Sequence, residues 1–152
     1  MKPCPYPIGR ALPHAHPMIL LDAIEGIADD ALEAVVVIDP GKPYWRAGGV
    51  PVHVAIEYMA QACGAFVGVE ALGRGGSPRI GYLLGTRNFA ADRRWFREGD
   101  RLRVRVEAVF REGNMGVFDC RIAGDIGDVP IATARLTVYQ PDDGENRESV
   151  GG

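Results

Sequence analysis

From Arg101 to Val106 the chain alternates strictly, with arginine at 101, 103 and 105 and an apolar residue at 102, 104 and 106. A period of two is the pattern of a strand with one wet face and one buried face. "RLRVRVEAVF" (101–110), "MGVFDCRIAG" (115–124) and "VPIATARLTVYQ" (129–140) therefore read as strands, as does "RIGYLLGTRNF" (79–89). Short turn-rich connections predict hairpins among the last of them. Upstream, "ALEAVVVIDP" (31–40) predicts a strand through Val37 that stops at Pro40.

A different pattern runs through "VPVHVAIEYMAQACGAFVG" (50–68), which is apolar for most of its length. It predicts one helix from about Pro51 to Leu72. Pro51 suits a first helical position, and "GRGGSP" (73–78) ends the run. "GKPYWRAGGVP" (41–51) is a turn-rich loop before it. In "LPHAHPMILLDAI" (12–24) the prolines at 13 and 17 forbid a long helix, leaving a short helical turn that leads into "ILLD". Residues 1–10 read as a flexible arm and 141–152 as a polar, disordered tail, with one domain over 11–140. One strand, one long helix and about four antiparallel strands give an α+β fold, in which the helix lies in the curl of the sheet.

The chain has 152 residues, 47% of them hydrophobic, which suits a single domain with a core. Its net charge of −3 and lack of a basic block disfavour nucleic acid. No window is read as a membrane helix, and "MKPCPYPIGR" is not a signal peptide. Cys4, Cys63 and Cys120 are too scattered for a zinc site or a disulfide framework, so a reducing cytoplasm is the expected setting. GxGxxG, P-loop, HExxH, GxSxG and CxxC motifs are all absent.

Glu57 is the residue that does not belong to its surroundings. His53, Glu57 and Gln61 are spaced by four, and their neighbours are mostly apolar. A carboxyl group in a dry pocket holds its proton to higher pH and can act as a general acid or base. The competing reading is a first-turn carboxylate that faces water and complements the helix dipole. The amides near Val52 and His53 could stabilise an enolate-like oxygen on a thioester. The histidines, His14, His16 and His53, supply the candidate bases.

"LPHAHPMILLD", "IEYMAQACGAF", "LLGTRNFAADRRWFREGDRLRVRVE" and "IATARLTV" together resemble the hotdog-fold 3-hydroxyacyl-acyl-carrier-protein dehydratases, over about residues 10–140. The branch most like it is the FabZ-like group of aryl polyene gene clusters. The resemblance implies a curved antiparallel sheet around a central helix. It also implies a homodimer or heterodimer with a related subunit, an acyl chain on acyl carrier protein as substrate, and no cofactor or metal. It implies that Glu57 protonates the C3 hydroxyl while a histidine takes the C2 proton. Val52 matches the thioester-binding amide and Gln61 the glutamine of the same motif. In "LLGTRNF", Gly85 and Arg87 are further candidates for substrate contact.

The chain departs from the family at one point. The usual "GHFPGHP"-like loop is replaced by "GKPYWRAGGVP", and the position fourteen residues before Glu57 is Pro43. The base is then His14 or His53, or the subunit is a noncatalytic partner of an active one. A hotdog acyl-thioesterase is the rival enzyme. Arg87, Arg93, Arg94, Arg97, Arg101 and Arg103 are candidates for docking an acidic carrier protein. Tyr44, Trp45, Tyr58, Trp95 and Phe96 are candidates for a tunnel wall or a dimer contact.

Overall fold

A computed structural model describes residues 1–14 and 18–141. A short helix, α1 (Ile8–Ala11), precedes β1 (Ala23–Ile27), β2 (Ala31–Val37) and β3 (Gly49–Pro51). A 3₁₀ turn (Val52–Val54) opens α2 (Ala55–Gly73). Then follow β4 (Tyr82–Ala91), β5 (Trp95–Arg97), β6 (Arg101–Glu112), β7 (Met115–Ala123) and β8 (Pro130–Tyr139). Six strands form one antiparallel sheet in the order β1-β2-β6-β7-β8-β4, and β3 pairs with β5 in a separate ribbon. This is the curved sheet around one helix that the sequence predicts.

The register follows from the side-chain alternation. Leu32 faces Val106, Ala34 faces Val104 and Val36 faces Leu102, all of them buried. One residue off, Glu33 faces Arg105 on the other side of the sheet. A slip of one position would put arginines in the core, so the pattern fixes the pairing. The buried side of α2 packs on this apolar face, with Phe66 edge-on to Phe118 at 5.7 Å and Tyr58 tilted against Phe96 at 6.1 Å.

Several elements differ from the sequence reading. Residues 1–10 are not a loose arm. Lys2 exchanges two backbone hydrogen bonds with Ile27 (3.0 and 2.9 Å), and Ala11 is fully buried. Among the described residues the short helix lies upstream of "LPHAHPMILLDAI" rather than within it, and that segment ends in β1. The backbone of α1 rests directly on α2: a Cβ on Gly68 would stand 1.8 Å from the Ala11 carbonyl oxygen. Only glycine permits that approach. The tail from residue 142 onward lies outside the described residues. The membrane reading also needs correction, because Val52–Gly73 is long and apolar enough to cross a bilayer, with a mean hydropathy of 1.3. Its apolarity is that of a core helix wrapped by a sheet.

Candidate active site

The other side of α2 borders a cavity of about 300 Å³. Glu57, Ala60, Gln61, Gly64 and Val67 line it, at the spacing of one helical face. Opposite lie Leu12 and His14, the start of β4 (Tyr82, Leu83), and the end of β8 (Val138, Tyr139). Pro43 and Tyr44 complete the wall. The loop that lacks the family histidine therefore still reaches the cavity, with Pro43 at the matching position. Tyr44 holds a positive φ of 73°, an uncommon conformation for a bulky side chain.

Glu57, His14 and Gln61 come together at this cavity. Glu57 and His14 are both exposed, so the carboxylate stands at an open mouth of the single chain rather than in the dry pocket expected for it. Gln61 is 9% exposed, and both ends of its amide are used. Its oxygen accepts the Leu20 N–H at 2.8 Å, and its nitrogen donates to the Met18 carbonyl at 2.6 Å. The residue matched as a substrate contact is thus also a strap holding residues 18–20 to the helix.

The other candidates lie off the cavity wall. His53 is exposed in the 3₁₀ turn. That turn rotates about 120° per residue rather than 100°, so a spacing of four no longer keeps His53 on the Glu57 face. The Val52 amide, read as a thioester donor, already donates to the Arg94 carbonyl at 2.9 Å, which corrects that reading. Gly85 and Arg87 are exposed on β4, past the bulge that follows Leu83. His16 lies outside the described residues.

Two buried groups on α2 are held protonated. Burial, with the Asp22 charge adding to it, pushes the Tyr58 hydroxyl above the ordinary tyrosine value. Burial, together with the neighbouring Cys120, pushes the Cys63 thiol well up; the two sulfurs stand 3.8 Å apart. Cys63 lines the cavity, but as an uncharged apolar wall rather than a nucleophile.

Residues 6–149 match the ApeP-like family model, described as ApeP dehydratase. The 3-hydroxyacyl-[acyl-carrier-protein] dehydratase FabZ of Rhizorhabdus wittichii is 31% identical, over 87% of this chain and 85% of that protein. Among solved structures, the dehydratase heterocomplex ApeI:P from Xenorhabdus doucetiae superposes with a TM-score of 0.87 at 28% identity, over 97% of this chain and 99% of that one. A hypothetical thioesterase of Streptococcus pneumoniae with coenzyme A shares the fold at a TM-score of 0.59 and 16% identity, over 77% of this chain and 86% of that one. The sheet wrapped on α2, the cavity beside Glu57 and these matches lead to one assignment: the chain belongs to the ApeP-like dehydratase family of hotdog proteins.

Proposed function

We propose that the chain dehydrates a 3-hydroxyacyl group held as a thioester on acyl carrier protein, with Glu57 as acid and His14 as base. As a member of its family the chain is a dehydratase-like lyase, placed in fatty-acid-like or polyene biosynthesis. The observation that carries the residue assignment is that Glu57 and His14 stand on the walls of one cavity. In this mechanism the His14 imidazole takes the C2 proton, and the electron pair moves toward the thioester carbonyl. Glu57 gives its proton to the C3 hydroxyl, the C–O bond breaks, and water leaves a 2-enoyl thioester. Once water and product have left, proton transfer from the His14 imidazolium to the Glu57 carboxylate, directly or through water, resets both groups.

The same reading includes a second hotdog subunit. Every residue of β4 except Phe89 is exposed, and Tyr82 and Leu83 belong both to that open edge and to the cavity. A partner strand on β4 would cover the edge and dry the mouth at Glu57. The solved relative named as a heterocomplex supports a related but different chain in that place. A reaction on carrier protein sets this in the cytoplasm.

The test is mass spectrometry of a 3-hydroxyacyl carrier protein incubated with the purified chain, alone and with any hotdog subunit that co-purifies with it. Loss of one water, abolished by Glu57→Gln and by His14→Ala, is the expected result. Release of the free acid would make the chain a thioesterase. Turnover that survives both substitutions in the complex would assign the chemistry to the partner.

A further inference from the structure

Among the described residues, three other than glycine hold a positive φ: Tyr44 at 73°, Ala47 at 45° and Asn88 at 58°. Two of them have a structural reason. Ala47 and Gly48 are the central pair of a tight hairpin closed by Arg46 and Gly49, which exchange backbone hydrogen bonds of 2.7 and 2.9 Å. The favoured two-residue turn takes positive φ at both central positions. Asn88 stands where β4 slips register against β8 between Arg87 and Ala90, and asparagine enters the left-handed region readily. Neither reason applies to Tyr44. It follows Pro43, the sequence of a type II turn, whose third position ordinarily takes glycine or asparagine.

Packing does not explain it either. Tyr44 is 46% exposed, and it is the next residue, Trp45, that packs against the core. The Tyr44 hydroxyl has no hydrogen-bond partner among the described residues. The loop is nonetheless held on both sides. Lys42 donates to the Val37 carbonyl at 2.8 Å and pairs with Asp22, while the Arg46–Gly49 hairpin closes the other flank. Tyr44 is thus fixed on the wall of the cavity that Glu57 and His14 also line. Backbone strain persists where the surrounding structure imposes it, and it gathers at sites of function.

Removal of a C2 proton drives charge onto the thioester oxygen, which calls for a hydrogen-bond donor aimed at that oxygen. The Val52 amide already donates to the Arg94 carbonyl, and both ends of the Gln61 amide are used. Gln140, also on the cavity wall, gives its amide nitrogen to the Arg79 carbonyl. We infer that the Tyr44 hydroxyl donates a hydrogen bond to the thioester carbonyl oxygen as the C2 proton leaves. The inference rests on the dehydration reading of the cavity. The phenol keeps its proton throughout; it holds the enolate-like oxygen until the C3–O bond breaks and the carbonyl re-forms. Tyr82 is the rival donor on this wall, but it sits in ordinary strand on the open edge of β4.

The experiment follows dehydration of a medium-length 3-hydroxyacyl carrier protein by the full chain, together with any hotdog subunit that co-purifies with it. Tyr44→Phe, Tyr44→Gly and Tyr82→Phe are compared with the unaltered protein, and thermal melts accompany the kinetics. Tyr44→Phe should lower kcat about 10²-fold, with KM and melting temperature little changed. Tyr44→Gly should lose as much turnover yet melt no lower, because glycine takes a positive φ without strain. Full turnover in Tyr44→Phe would overturn the inference and leave the dehydration reading intact. A loss of turnover matched by a lower melting temperature would make Tyr44 a packing residue and overturn it too. A loss in Tyr82→Phe but not in Tyr44→Phe would move the donor to β4. No dehydration by the unaltered protein would remove the dehydration reading, and the inference with it.

Discussion

Gln61 and Leu20 are 41 residues apart in sequence, and the side-chain oxygen of one accepts the backbone N–H of the other at 2.8 Å. A second bond, from the Gln61 nitrogen to the Met18 carbonyl, closes the clasp. The chain that runs back from this clasp carries His14, and the helix beneath it carries Glu57. The clasp thus ties the proposed base to the proposed acid through the backbone. Gln61→Met keeps the volume and removes both bonds, leaving two backbone groups without partners. The expected cost is about 2–4 kcal/mol in urea unfolding. Dehydration should fall further than stability alone accounts for.

Glu57→Gln should behave in the opposite way. The side chain is exposed and makes no ion pair with described residues, so unfolding should be unchanged. Turnover of a carrier-bound 3-hydroxyacyl group should drop roughly 10²–10⁴-fold, the usual worth of a positioned acid. Single-turnover mass spectrometry reads this without interference from product release.

Tyr58 gives the fold an alkaline limit. Its hydroxyl is pushed above the ordinary value by burial and, second, by Asp22, so the folded chain keeps a proton that the unfolded chain releases near pH 10, to within about a unit. Stability from this group is complete below that pH and is lost as pH rises above it toward the folded value. Tyr58→Phe, which keeps the ring against Phe96, should flatten this limb in thermal melts taken between about pH 8 and about pH 10.5.

Gly68→Ala tests the seat of the N-terminal segment. The added carbon would meet the Ala11 carbonyl oxygen at 1.8 Å, so α1 must lift from α2. The expected loss is about 1–3 kcal/mol, with faster amide exchange in residues 8–12. Gly73→Ala, at the open end of the same helix, meets no atom within 4 Å and is the control.

Much of the fold was legible because α2, β2 and β6–β8 each carry a pattern that one burial face explains. Glu57 was legible for the same reason, as a charge inside an apolar run. What the sequence hid depends on contacts across long separations. β3 is three residues, Gly-Val-Pro, and is a strand only because Trp95–Arg97 lies beside it. The prolines of residues 1–10 suggested a free arm, yet Lys2 finds Ile27 through backbone groups that leave no side-chain signature. The Val52 amide looked available from its place at the helix start, and the Arg94 carbonyl that occupies it arrives from β5's approach. His53 stands in a 3₁₀ turn, where the sequence reading had α-helix.

The bare β4 edge has a consequence for how the protein can be made. Tyr82, Leu83 and Leu84 leave 53%, 40% and 58% of their surface to water beside a row of unsatisfied backbone groups. Such a strand is a template for any passing strand, correct or not. A cell that makes this chain in excess of whatever caps it should lose the surplus to insoluble material, so its useful yield is set by matched supply rather than by its own expression.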